Sequence, residues 1–121
     1  MAIKHGKTMI TMINQINEDK VRLTKLQSKY DLKVSNLYHE METKNFNASE
    51  GFKKYKELQV ILRERRIVKN ELSSIQALLS TLNVKAFESQ IHKSLAKVKK
   101  YDESNEKYTD GWNIGIADIM V

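Results

Sequence analysis

The chain has 121 residues, 40% hydrophobic and 30% charged, with a net charge of +6 and no cysteine or proline. This composition predicts one ordered domain with a modest hydrophobic core. Without cysteine, disulfides, thiolate metal sites and a cysteine nucleophile are excluded. No apolar run reaches the roughly 18 residues of a membrane span, and the N-terminus lacks a signal-peptide core. We therefore expect a cytoplasmic protein that does not enter a membrane.

The N-terminal third predicts one very long helix, from about Thr8 to Lys44, with Thr8 or Thr11 as its N-cap. A helix of this length extends about 55 Å, longer than helices of globular domains usually run. An elongated coiled-coil arrangement is therefore expected. The apolar seam recurs in steps of three and four, with polar Lys20 and Gln27 within it, and comprises Met9, Ile13, Ile16, Leu23, Tyr30, Val34, Leu37 and Met41.

A second helix is predicted over residues 48–82, and Asn47 with Glu50 resembles a capping box at its start. Because the connection is short, the first two helices should form an antiparallel hairpin. Arg65 is the only polar residue of the second seam, where we expect it to stack on Tyr30 and hydrogen-bond Gln27. The seam comprises Leu58, Ile61, Val68, Leu72, Ile75, Leu79 and Leu82, and the register pairs Met41 with Tyr55, Leu37 with Leu58, Tyr30 with Arg65, Leu23 with Leu72, and Ile16 with Leu79.

A third, shorter helix is predicted over residues 84–107, folding back on the hairpin around Asn83. Residues 108–121 form an apolar tail in which Asp110-Gly111 predicts a turn. Beyond the turn, apolar residues alternate as in a strand. The predicted fold is therefore all-α, a single domain of 121 residues: an elongated antiparallel hairpin, a third helix that completes a three-helix coiled-coil-like bundle, and a C-terminal tail that is apolar and extended.

Large apolar residues collect at two places that the predicted bundle leaves uncovered. One is the hairpin tip, where only two helices pack, and the other is the tail. Such residues favour a homo-oligomer or contact with a partner protein. The tail could dock on its own chain or on a second subunit. The predicted contact residues are Leu37, Tyr38, Met41, Phe46, Phe52, Tyr55, Trp112, Ile114 and Ile116.

Basic residues recur at helical spacing and indicate a possible surface for anions. Contact with nucleic-acid phosphates is one interpretation, and a solvated bundle exterior is the other. A buried Arg65 could also hold a small anionic nucleotide, although a polar layer more often fixes register or oligomeric state. The candidate anion contacts are Arg22, Lys25, Lys29, Lys33, Arg63, Arg65 and Arg66.

No motif for catalysis, a cofactor or a metal stands out. His39 and Glu40 begin like a zinc-protease helix, but Thr43 occupies the place of the second histidine. We therefore predict a non-enzymatic helical binding protein that self-associates and acts through protein contact. Phages and mobile elements encode many small, cysteine-free, lysine-rich helical proteins as inhibitors, assembly factors or regulators. By that analogy of type, such a role is our first hypothesis, with nucleic-acid binding and nucleotide binding as alternatives.

Overall fold

The computed structural model describes residues 1–120, which form four helices. The long ones are α1 (Ala2–Thr43), α2 (Ala48–Leu79) and α3 (Val84–Tyr108), and α4 (Ile116–Ile119) is a single turn. No strand is present among these residues, so the all-α prediction is confirmed. No helix within them is long and apolar enough to cross a membrane.

The α1–α2 hairpin forms one compact unit, residues 13–83. At the start of α2, the Asn47 side chain accepts the Glu50 N–H at 2.8 Å, and the Glu50 carboxylate accepts the Asn47 N–H at 3.4 Å. The predicted capping box is therefore present, and it separates the two helices after only four non-helical residues. Three apolar side chains are buried along the hairpin, namely Val34, Leu37 and Leu72.

Three polar contacts between α1 and α2 show the register of the hairpin. These join Tyr30 to Glu64, Asp31 to Arg65, and Glu40 to Lys54. Each contact lies within one residue of the predicted register, in which Tyr30 is level with Arg65. At the far ends the predicted seams fail, because Met41 and Leu82 are exposed.

The second compact unit combines Met1–Met12 of α1 with α3 and the residues that follow it. Here the prediction for α1 was wrong at its start, because the helix begins at Ala2 and not at Thr8. Thr8 and Thr11 do not cap the helix; their hydroxyls donate to carbonyls four residues earlier, at 2.9 and 3.0 Å. Met9 is exposed, and the less exposed apolar positions are Ile3 and Ile10.

α3 comes close to α1 at Gly6. A Cβ atom at Gly6 would lie only 2.3 Å from Leu95 Cδ2, so the leucine side chain occupies the space that a larger residue would need. Gly6 is buried, as is Ile91 one turn before Leu95. The absence of a side chain therefore lets α3 approach α1 here.

The tail contains the predicted turn but no strand. The Trp112 N–H donates to the Thr109 carbonyl at 3.1 Å, with Gly111 in the left-handed region at φ 79°. Asn113 also has a positive φ of 56°, which interrupts the extended backbone that the alternating pattern predicted. The chain then enters α4, and the Asp118 carboxylate accepts the Gly115 N–H at 2.8 Å. The extended-tail prediction was therefore wrong.

A candidate protein-binding face on the hairpin

Two open grooves lie side by side on one flank of the α1–α2 hairpin. The first has a volume of about 580 Å³ and runs between the helices. Its α1 wall is polar and aromatic, and its α2 wall is formed by Leu62 and Arg65. The side chains that line it are Asp31, Val34, Ser35, Tyr38, His39, Glu42, Leu62 and Arg65.

The second groove has a volume of about 430 Å³ and is lined by α2 alone. It shares Leu62 and Arg65 with the first groove, so the two form one continuous surface, which we call the groove face. Leu62 is 37% exposed at its centre. The side chains that line the second groove are Tyr55, Leu58, Gln59, Leu62, Arg63, Arg65 and Arg66.

Arg65 is held by Asp31 at the centre of this face. The guanidinium Nε donates to Asp31 Oδ1 at 2.6 Å, and the side chains remain 29% and 46% exposed. The predicted stacking on Tyr30 with a hydrogen bond to Gln27 was wrong. Asp31 lies one residue beyond Tyr30, at the flank of the seam, where its carboxylate pairs with the Arg65 guanidinium. Arg65 is therefore not buried without a partner.

Tyr30 makes its contact with Glu64 instead. Its hydroxyl donates to Glu64 Oε2 at 2.5 Å, and this hydrogen bond to the carboxylate raises the pKa of Tyr30 above its ordinary value. The Lys33 ammonium lies 5.0 Å from the centre of the Tyr30 ring. Tyr30 therefore contacts Lys33 and Glu64, and Arg65 pairs with Asp31.

The opposite flank of the hairpin carries ion pairs. Lys54 Nζ lies 2.8 Å from Glu40 Oε2 and 3.6 Å from Glu57 Oε2. The hydrogen bond from Lys54 lowers the pKa of Glu40, and the same bond raises the pKa of Lys54. Neither groove is lined by these residues. Lys54 thus has two acidic partners on this flank, whereas the groove face exposes Tyr38, Tyr55 and Leu62.

The predicted contact residues of the hairpin divide into exposed and buried side chains. Leu37 is only 4% exposed, so its predicted place on an uncovered surface was wrong. Phe46 is half-buried, and the Phe52 ring is exposed with the Lys56 ammonium 5.4 Å from its centre. Tyr38, Met41 and Tyr55 are exposed, and of these Tyr38 and Tyr55 line the groove face.

The predicted contact residues of the tail are all exposed within this chain. Trp112, Ile114 and Ile116 each keep more than half of their accessible surface. The one ring contact shown for the tryptophan is with Tyr108, at a centroid distance of 5.7 Å. The tail therefore presents a second apolar surface, within the unit that contains α3.

The predicted anion contacts do not form one site. Arg63 and Arg66 line the second groove, and Arg65 is paired with Asp31. Arg22 lies 3.9 Å from Asp19, and the remaining α1 lysines of the set are exposed. Within residues 1–120, ion pairs engage four of the 21 lysines and arginines, namely Arg22, Lys44, Lys54 and Arg65.

Sequence reasoning missed the centre of the groove face. Leu62 lies beside the seam residue Ile61 and was left out of both the seam and the contact set. The signal was available, because a second row on α2 recurs in steps of three and four. That row is Phe52, Tyr55, Gln59, Leu62 and Arg66.

Among residues 1–120, no group of three or more histidine, aspartate or glutamate side chains is placed to hold a metal ion. Comparison of the chain with protein-family models, with curated proteins and with solved structures finds no match. The groove face and the tail are thus the features from which a function can be argued.

Proposed function

We propose that this chain is a non-enzymatic helical binding protein that self-associates and acts through protein–protein contact, as an inhibitor, assembly factor or regulator. The observation that carries the proposal is the exposure of Tyr38, Tyr55 and Leu62 on one face of a hairpin. Aromatic side chains of this size dominate protein interfaces, because burying each removes a large apolar area from water. A face with two tyrosines and a leucine at its centre therefore favours a protein partner.

The tail supports the same function. Five of its side chains are large and apolar and expose more than half of their surface, namely Trp112, Ile114, Ile116, Ile119 and Met120. Exposed residues of this kind, close together in sequence, favour docking on another surface. We expect the tail to strengthen an assembly that the hairpin forms.

The mass of the protein in solution tests this proposal. Sedimentation equilibrium across the micromolar range should give a mass above 14.1 kDa that rises with concentration. A mass of one chain at every concentration would exclude self-association.

Removal of residues 112–121 tests the contribution of the tail. We expect the truncated chain to assemble at least about tenfold more weakly, because less apolar surface is then buried between subunits. A full-length control with serine at Trp112, Ile114 and Ile116 separates the apolar side chains from the length of the tail. If both variants assemble as the natural chain does, the tail has no part in the assembly.

Binding of a polyanion is the second candidate, favoured by the small number of basic residues engaged in ion pairs. Lys25, Lys29 and Lys33 recur along one flank of α1, are exposed, and are not among the ion-paired residues named above. Titration of DNA and RNA at several salt concentrations distinguishes this candidate. If these residues bind phosphates, replacing all three with glutamine should reduce the salt-dependence slope by about 0.9 for each phosphate that is no longer neutralised. Lys44→Gln, at a lysine paired with Glu40, is the control.

A nucleotide in the groove face is less well supported. Arg65 is already neutralised by Asp31, and Glu42 adds a negative charge to the first groove. A thermal-shift screen of nucleotides against the natural chain and Arg65→Ala tests this alternative. Stabilisation of the natural chain alone would favour it.

A further inference from the structure

The two edges of the groove face carry opposite charges. The α1 edge contributes two acids, Glu42 and Asp31, of which Asp31 is already bonded to Arg65 through Oδ1, and the α2 edge contributes two arginines, Arg63 and Arg66. Leu62 lies between these edges. A surface with acids along one edge, bases along the other and an apolar centre can complement a second copy of itself.

We infer that the groove face is the interface of a symmetric dimer, in which it packs on the groove face of a second copy of this chain. The twofold axis runs along the hairpin. The α1 edge of each copy then lies opposite the α2 edge of the other. This inference rests on the proposed function, because it requires that the protein self-associates.

The charges of the edges select this orientation of the axis. A twofold axis in the plane of the interface and parallel to the helices brings the α1 edge of each copy against the α2 edge of the other. In the hairpin register this places Asp31 level with Arg63 and Arg66 of the other copy, while Glu42 lies about 17 Å farther along α1. An axis in the same plane but perpendicular to the helices brings α1 against α1 and α2 against α2. Like charges would then face each other, which disfavours that arrangement. The isologous interface is therefore a parallel pair of hairpins.

The centre of the face can be covered without burying an unpaired charge. Arg65 enters the interface already bonded to Asp31. Covering a paired arginine avoids most of the cost that an isolated buried guanidinium would carry. The remaining central side chains are Tyr38, Tyr55 and Leu62, which lose apolar surface to the partner.

The extent of the groove face sets the expected affinity. Along α1 it reaches from Asp31 to Glu42, twelve residues, or about 17 Å of helix. Two helices side by side are about 20 Å wide, so the face covers roughly 350 Å², less than the about 800 Å² per partner of a standard interface. We therefore expect a dissociation constant in the micromolar range for the dimer.

Leu62→Glu tests whether this face is used. Leu62 is 37% exposed, so a glutamate there leaves the hairpin core in place but puts a charge at the centre of the interface. Dimerisation should weaken at least about tenfold, as for a central interface residue. The matched control is Val60→Glu, two residues away, at a side chain that is 52% exposed and lines neither groove. We expect the control to dimerise normally.

Cysteine crosslinking tests the orientation, because the natural chain has no cysteine. In the hairpin register, Ser35 of α1 lies level with Gln59 of α2, and they line opposite sides of the face. In the parallel pair, Ser35 of one copy faces Gln59 of the other. Ser35→Cys mixed with Gln59→Cys should therefore give a disulfide-linked dimer on mild oxidation, and either variant alone should give far less. Glu71→Cys replaces one partner as the control, because Glu71 lines neither groove.

The outcomes separate the inference from the proposed function. If the natural chain is monomeric at all concentrations, both the proposed self-association and the inferred dimer are excluded. A natural chain that dimerises while Leu62→Glu dimerises equally well overturns the inference and leaves the proposed function standing. Crosslinking of Gln59→Cys with itself, without the mixed product, overturns the parallel orientation. Loss of dimer in Leu62→Glu together with the mixed crosslink supports the inference in full.

Discussion

Both compact units of this chain bury apolar side chains, but they differ in the other contacts that join their helices. In the hairpin, charged and hydroxyl side chains bridge α1 and α2, as Asp31 does to Arg65 and Glu40 to Lys54. In the other unit, Leu95 of α3 packs against α1 at Gly6, where α1 has no side chain. The polar contacts of the hairpin are directional, and the complementary residues that make them can be recognised in the sequence. The contact at Gly6 depends on a missing side chain, which a search for periodic apolar residues does not detect.

The largest effect is expected from filling the space at Gly6. In Gly6→Leu the new side chain would occupy the position of Leu95, and such overpacking costs roughly 1–3 kcal/mol of unfolding free energy. Chemical denaturation of both proteins measures the difference. In a Leu95→Ala background the penalty should largely disappear, because the atoms that clash have been removed.

Gly51→Leu is the matched control for this experiment. Gly51 is also helical, but a Cβ atom there would meet nothing within 4 Å. This replacement should be neutral or stabilise by up to about 1 kcal/mol, because glycine is a poor helix former. Equal destabilisation by the two replacements would mean that the approach of α1 and α3 at Gly6 is not what fixes this unit.

A smaller effect is expected at the Arg65–Asp31 pair of the hairpin. A double-mutant cycle with Arg65→Ala and Asp31→Ala should give a coupling of about 0.5–1 kcal/mol, because the pair is short but still partly exposed. The same cycle at Arg22 and Asp19, an exposed pair at 3.9 Å within one helix, should give almost none. Similar couplings for the two pairs would contradict the role of Arg65 in holding the register.

The smallest effect is expected from the pH dependence of the Glu40–Lys54 pair. The pKa of Glu40 is lowered from its ordinary value of 4.5 by Lys54, so its contribution to stability is present above that value. The contribution is lost as the pH falls through the lowered pKa. Between neutral pH and about pH 3, the natural chain should therefore lose more stability than Glu40→Gln.

Urea unfolding at the two pH values measures this loss. Glu71→Gln is the control, because no ion pair of Glu71 is shown within residues 1–120. That variant should follow the natural chain at both pH values. A pH response of Glu40→Gln identical to that of the natural chain would contradict the prediction.

Much of the hairpin could be predicted because its determinants are local or periodic. The seam of α2 from Leu58 to Leu79 needed only the spacing of apolar residues, and the capping box needed only Asn47 and Glu50. The register followed from matching two seams around a short loop. The partner of Arg65 did not follow, because Asp31 lies off the seam and the choice between it and Tyr30 depends on side-chain direction.

The other unit was harder because its signals are weak. Thr8 and Thr11 suggested a capped start near Thr8, yet the helix begins at Ala2, where α3 packs on the first turns. Packing of this kind overrides a low local preference for helix. In the tail, the alternating pattern around Ile114 predicted a strand, but a strand requires a neighbour to hydrogen-bond, and none exists among residues 1–120.

The sequence by itself determined that this protein is helical and where α2 begins, because periodicity and capping act between residues near in sequence. It also determined how α1 and α2 align, because the short loop leaves few ways to match their apolar residues. Only the tertiary structure decided which apolar residues stay exposed. Leu37 is buried, while Leu62, one position off the seam, remains on the surface. Burial is a property of the whole packing, and the groove face that carries the proposed function is what that packing leaves uncovered.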